Sequence, residues 1–231
     1  MPARLRPTAP LAASAILVGD PGRALMLAQE LLEQPKMSNH ARGLWGYTGQ
    51  TDAGDELTIQ STGMGGPSAS VVLADLAELG LRRAIRIGTC TSLGAATPGD
   101  LVVATEARAD PGRGSFRSPT VREEPRDDAA LPDRELTSAL ADLLGEGSRE
   151  GAVVSLDTLH RPEVDEPPPD AGVADMQTAA LFEAGSALGL PVAAVLVVTH
   201  ARDVADLGDE ELSEAAKIAA AAAATVLSTS S

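Results

Sequence analysis

One cysteine in 231 residues rules out an intrachain disulfide, and nothing in the chain asks for an oxidising compartment. Three histidines and that single thiol make no recognisable metal-ligand cluster. Basic residues are scarce, 18 Lys and Arg against 33 Asp and Glu, and the net charge of −15 argues against nucleic acid or an anionic membrane as the main partner. An anionic ligand would therefore need a local nest of arginines working against the global field. Long apolar runs are absent too. Arg4 and Arg6 before the run from Leu11 to Val18 have the outline of a signal peptide. That run passes straight into Gly19-Asp20-Pro21-Gly22-Arg23, a strand-to-helix turn, and nothing downstream reaches transmembrane length. It is expected to be the first core strand of a cytoplasmic protein.

What is present is 44% hydrophobic residues, enough for one sizeable core in a single domain over residues 1–231. Short apolar segments alternate with helical ones along the whole length. Ala12 to Val18 is expected to be a buried strand, with a helix opening at Pro21 and carrying Leu25, Leu27, Ala28, Leu31 and Leu32. Residues 34–43 form a polar connection. Leu44 to Gly49 and Leu57 to Thr62 pair around a turn at Asp52-Ala53-Gly54-Asp55. Further strands are expected over Asp100 to Ala107, Gly151 to Ser155 and Val192 to Val198. Helices are expected from Asp133 to Leu144, from Asp175 to Leu188, and from Glu210 to Leu227, the last rich in alanine. Residues 108–132 and 163–170 have loop composition, the first suited to a surface lid. The class is α/β with a largely parallel or mixed sheet.

Three glycine-bearing turns carry the candidate chemistry. In Arg86-Ile87-Gly88-Thr89-Cys90-Thr91-Ser92 an apolar strand runs towards a polar turn, and an Arg followed by Gly and Thr suits a tetrahedral oxyanion. Alone, such an Arg is more often a solvated or salt-bridged residue. Gly19 and Arg23 stand at a strand end and helix start, where free amides favour an anion. Gly63-Met64-Gly65-Gly66 lets backbone come close to a ligand, and equally serves as a plain turn.

Taken in order, GDPGRA (19–24), ARGLWGYTG (41–49), STGMGGPSAS (61–70), RIGTC (86–90), SLDTL (155–159) and DMQTAALF (175–182) resemble the nucleoside phosphorylase superfamily of purine nucleoside and uridine phosphorylases. The pattern is most similar to hexameric bacterial-type purine enzymes, over about residues 14 to 227. The resemblance implies a three-layer α/β/α phosphorylase fold with a mixed central sheet. It implies a pentosyltransferase that splits purine nucleosides, with 6-oxopurines favoured, to free base and ribose 1-phosphate. Inorganic phosphate would be co-substrate, with no metal or organic cofactor. Gly19, Arg23, Arg86 and Thr89 would bind phosphate. Arg42 would cross into a neighbouring subunit's site, making a dimer the unit of a homo-oligomer, up to a hexamer. Met64, Asp175, Met176 and Gln177 fall at the ribose, and Cys90, Thr91, Leu159 and His200 at the base.

The same resemblance shows departures. The family's Glu-Met-Glu is here Asp175-Met176-Gln177, so an acceptor for sugar hydroxyls loses its charge. Thr199 and His200 stand where a Ser precedes the residue that serves the base. His200 is the candidate proton donor, and Asp203 its alternative. Thr91-Ser92 replaces a Gly-Ala. No His precedes position 40, leaving His40 or His160 as stand-ins for a histidine at the sugar's 5′-hydroxyl. Uridine phosphorylase is the nearest alternative, but only Arg161 is available to read a pyrimidine. A nucleosidase normally lacks the phosphate arginines. A non-catalytic homologue that binds phosphate or nucleoside is the alternative from a different class.

Overall fold

The computed structural model describes residues 4–110, 129–156 and 172–229. Its core is a nine-stranded mixed sheet. β1 (Ser14–Val18) lies between β4 (Glu56–Ser61) and β5 (Arg83–Ser92), parallel to both. β3 (Gly46–Gln50) extends the sheet antiparallel to β4, and β2 (Glu33–Asn39) forms its edge. On the other side, β5 runs parallel to β9 (Val192–His200), and β9 pairs antiparallel with β6 (Leu101–Asp110). β6 pairs with β7 (Ser148–Leu156), β7 with β8 (Val173–Asp175), and β8 returns to the end of β5. Five strands thus close into a ring beside an open sheet.

Period-two alternation sets the three layers. On β1, Ile16 and Val18 face one core while Ala15 and Leu17 face the other. The central strand β9 does the same with Ala193, Val195 and Val197 against Ala194, Leu196 and Val198. The first face is covered by α1 (Pro21–Leu31), α3 (Arg134–Leu144) and α5 (Asp209–Thr229), through Leu27, Leu140 and a row of small residues including Ala216, Ala219, Ala220 and Ala223. The second is covered by α2 (Gly66–Glu78) and α4 (Thr178–Leu188), through Val72, Leu76, Leu181 and Phe182. The expected three-layer arrangement with a mixed sheet is therefore present.

Three local expectations are corrected. The stretch 34–43 is not a connection up to Asn39 but the edge strand β2. It is mostly exposed and carries Pro35 and Lys36, residues that blunt an edge and hide the strand pattern. The segment after Arg86 does not turn. β5 continues to Ser92 because β9 pairs with it from Ala84 to Thr91. Helix α4 starts at Thr178 rather than Asp175, which instead ends β8, since the backbone of 173–175 is held by β7 and β5. Of the proposed lid, 108–110 belong to β6, and 111–128 lie outside the described residues. Among the described residues no helix is long and apolar enough to cross a membrane.

Leu140 is fully buried against α5 and the sheet. Leu140→Ala is expected to lower the unfolding free energy by about 2–5 kcal/mol, the usual cost of a large-to-small core change. The denaturant midpoint should fall with an unchanged slope.

Candidate functional site

The same alternation that buries the sheet places an arginine inside it. On β5, Ile85 and Ile87 join the α1/α3/α5 core, so Arg86 points to the α2/α4 side, in line with Ala84 and Cys90. Its side chain is only 5% exposed. A buried guanidinium needs a counter-charge and partners for its N–H groups. Asp175, wholly buried at the end of β8, supplies the charge: Arg86 Nη2 donates to Asp175 Oδ2 at 2.9 Å. Arg86 Nη1 donates to Gln177 Oε1 at 2.7 Å, and Nε donates to Thr178 Oγ1 at 3.2 Å. Three of five N–H groups are thereby committed. Gly88 is bare for a steric reason, because a Cβ there would lie 2.6 Å from the Arg86 guanidinium.

Asp175 is held as tightly. Its carboxylate accepts from Ser155 Oγ at 2.5 Å, from the Thr178 hydroxyl at 2.7 Å and from the Thr178 N–H at 3.0 Å. It thus serves the first turn of α4, where a negative charge is favoured by the helix dipole. Ser155, Thr178 and Thr62 were not singled out from the sequence. They fall within the quoted motifs, but their hydroxyls gain a role only when the chain brings the three segments together.

The pairing of β5 with β1 runs from Ser14↔Arg83 to Leu17↔Arg86 and goes no further, and β8 joins β5 only from Thr91 onward. Between these points Gly88 and Thr89 line a cavity of about 450 Å³ at the carboxyl end of β1. That is the size and place expected of a ligand cleft in an α/β sheet. Gly19, Asp20, Pro21 and Arg23 form one wall at the start of α1. Gly63, Met64 and Gly65 form another, with Met176 and Gln177 completing it. Asp20 caps α1, its carboxylate accepting the Arg23 N–H at 2.7 Å. Gly63 and Gly65 have φ of 73° and 80°, which only glycine adopts without strain.

Arg23 is half-buried, and among the described residues its guanidinium makes no hydrogen bond or ion pair. Burial pushes its pKa down, the charge of Asp20 raises it, and the positive charge of Arg86 lowers it. Two arginines thus line one cavity at a helix N-terminus in a chain of net charge −15. The arrangement is suited to an anion between them.

Of the residues selected from the sequence, Gly19, Arg23, Met64, Arg86, Thr89, Met176 and Gln177 meet at this cavity, with Asp175 directly behind Arg86. Met64 is 86% exposed at its rim. Others lie apart from the lining. Arg42 is exposed on a short 3-10 turn with φ of 60°, next to a buried Asn39 whose amide donates to the Leu44 carbonyl. Cys90 is buried, and burial followed by the charge of Asp175 pushes its thiol pKa far up, so it is no nucleophile. Thr91 is half-buried where β8 joins β5. His200 ends β9 in register with Thr91, 53% exposed, its Nδ1 paired with the Asp206 carboxylate. Asp206 went unnoticed in the sequence; an acid six residues after a His has no fixed geometry until a turn closes it. Asp203 is exposed with φ of 62°. Leu159, His160 and Arg161 lie outside the described residues.

Arg86→Ala leaves the Asp175 carboxylate buried without its cation and is expected to cost about 3–5 kcal/mol of stability. A urea titration coinciding with that of the unaltered protein would refute the coupling.

The family model described as the phosphorylase superfamily matches residues 14–230. A DeoD-type purine nucleoside phosphorylase of Caldanaerobacter subterraneus subsp. tengcongensis is 31% identical over 198 residues, covering 82% of this chain and 83% of the relative. A DeoD-type purine nucleoside phosphorylase of Bacillus cereus is 31% identical over 213 residues, 88% of this chain and 87% of the relative. Among solved structures, a uridine phosphorylase of Vibrio fischeri superposes with a TM-score of 0.79 at 25% identity, over 94% of this chain and 92% of that one. A purine nucleoside phosphorylase of Toxoplasma gondii superposes with a TM-score of 0.78 at 23% identity and the same coverage. With the sheet, the helix-capped cleft and the ordered glycine and arginine motifs, these matches establish that the chain belongs to the phosphorylase superfamily.

Proposed function

We propose that the chain catalyses the phosphorolysis of purine nucleosides, with 6-oxopurines favoured, to free base and ribose 1-phosphate. The observation that carries this reading is that Arg23, whose guanidinium has no partner among the described residues, lines one cavity with the anchored Arg86. The DeoD-type relatives, similar over more than four-fifths of their length, give the purine assignment its support.

In this reading phosphate is the co-substrate and no metal or organic cofactor is required. The anion sits at the Gly19–Arg23 turn, between Arg23 and Arg86, with the Thr89 hydroxyl as a further donor. One phosphate oxygen forms the new bond to C1′ of the sugar as the C1′–N bond to the base breaks, its electron pair leaving with the base. The sugar passes through an oxocarbenium-like state that the phosphate charge stabilises, so positioning and electrostatics supply most of the rate. His200 gives the departing base its proton, and the Asp206 carboxylate on Nδ1 turns Nε2 outward for that task. Arg42, exposed on its turn, completes the phosphate site of a second copy, which makes a dimer the smallest working unit.

Base release from a panel of purine and pyrimidine nucleosides, with and without phosphate, tests the reading. Phosphate-dependent release from purine nucleosides is expected. Release from uridine alone would favour a uridine phosphorylase, and release without phosphate a nucleosidase. No release with phosphate still bound would identify a non-catalytic binder. Arg23→Ala is the cleaner test of the anion site, because among the described residues its guanidinium holds no partner. Phosphate affinity measured by calorimetry should fall at least tenfold while the unfolding midpoint stays nearly constant. Unchanged affinity would refute the assignment.

A further inference from the structure

The turn that carries Arg42 is held from inside the fold. Arg42 and Gly43 follow one another with φ of 60° and 73°, and an arginine keeps that left-handed backbone only where its surroundings impose it. Here two buried carboxamides impose it. Asn39, 1% exposed at the end of β2, donates from Nδ2 to the Leu44 carbonyl and, weakly at 3.5 Å, to that of Ala41, so it grips both ends of the turn. Gln60, wholly buried on β4, donates from Nε2 to the same Leu44 carbonyl at 3.0 Å and to that of Trp45 at 3.3 Å. Asn39 Oδ1 in turn accepts the Arg6 N–H at 2.9 Å. The segment before Arg6 is itself tied down, with the Arg4 and Leu5 N–H groups donating to Asp75 Oδ2 of α2 at 2.7 and 2.8 Å. Gly46 is bare because a Cβ there would collide with Gln60 Oε1. Leu44 Cδ2 lies 3.3 Å from the place of a Cβ on Gly63, which seats the turn on the wall of the cleft.

We propose that Asn39, backed by Gln60, is a positioning residue for Arg42, fixing the point and direction in which that side chain leaves the surface towards a second copy. The inference rests on the reading that Arg42 completes the phosphate site of that copy. Burying two amides to hold one exposed turn is more than an ordinary surface turn requires, and a satisfied buried network makes the backbone it holds rigid. The chemistry at position 39 is specific. The turn's carbonyls need an N–H donor and the Arg6 N–H needs an acceptor, and one planar carboxamide supplies both. An apolar side chain would serve neither. An aspartate would serve Arg6 but set its other oxygen against the two carbonyls. Without the clamp the backbone at Arg42 relaxes to the negative φ that arginine prefers, and the guanidinium sets out from a different base. Its remaining torsions are settled by the anion it meets, so the clamp contributes by lowering the ordering cost of binding.

The test is a double-mutant cycle on the full chain, Asn39→Ala and Arg42→Ala alone and together, read by calorimetric titration with inorganic phosphate. Arg42→Ala is expected to weaken phosphate binding roughly tenfold and Asn39→Ala roughly fivefold, while the double variant loses no more than about twofold beyond Arg42→Ala. Losses that multiply in the double variant mean that Asn39 acts otherwise than through Arg42 and overturn the proposal, as does unchanged affinity in Asn39→Ala. Sedimentation at the titration concentration should show one assembly for all four proteins; a loss that accompanies a smaller assembly overturns the proposal too. Should Asn39→Ala not fold, Gln60→Met, which keeps the volume and removes the N–H donors, takes its place in the cycle with the same outcomes. Unchanged phosphate affinity in Arg42→Ala would refute the role given to Arg42 and take the proposal with it. A loss in Arg42→Ala that Asn39→Ala does not share overturns the proposal alone.

Discussion

The buried pair of Arg86 and Asp175 is the constraint on which the site depends. Placing a guanidinium on an interior strand costs far more than the strand's apolar neighbours repay unless a charge and several hydrogen bonds meet it. Asp175 meets it from β8, Thr178 from the first turn of α4 and Gln177 from the residue between them. One ion pair therefore ties β5 to β8 and to the start of α4. It also explains why Gly88 has no side chain and why Ser155 and Thr178 carry hydroxyls.

From that anchor the rest of the cleft follows. Gln177 passes the constraint on to the glycine loop before α2, whose close approach to α4 leaves only 2.9 Å between a Cβ on Gly66 and that of Ala180. Thr62, donating to the Val18 carbonyl or to Gln177, links the same loop to the end of β1, and the next residues of β1 turn into the N-terminus of α1. Arg23 is the exception. Among the described residues its guanidinium has no such duty, which sets it apart from the bonded cluster around Arg86.

The two halves of the cleft differ in how they are held. The half around Arg86 and the start of α1 is built from strand ends, helix starts and buried hydrogen bonds. His200 and Asp206 meet at the surface, on the residues after β9, while Arg42 stands on an exposed turn next to the sheet edge. Groups held this way take their final geometry from what covers them.

Much of this was legible in the sequence. Runs of alternating apolar residues, glycines and helix caps report backbone preferences that act locally, so the strand and helix order and the turns at Gly19 and Gly63 could be read directly. The edge strand β2 could not, because a half-exposed strand with Pro35 and Lys36 lacks the periodicity that burial imposes. Arg86 could be singled out, yet its sequence left two readings open, ligand-binding or salt-bridged. The tertiary structure decided that it is salt-bridged, with N–H groups to spare. That outcome depended on Asp175 and Gln177, some ninety residues further along, being brought to the same face by the return of β8. Hydrogen-bond saturation belongs to a packed arrangement, and no single stretch of chain contains it.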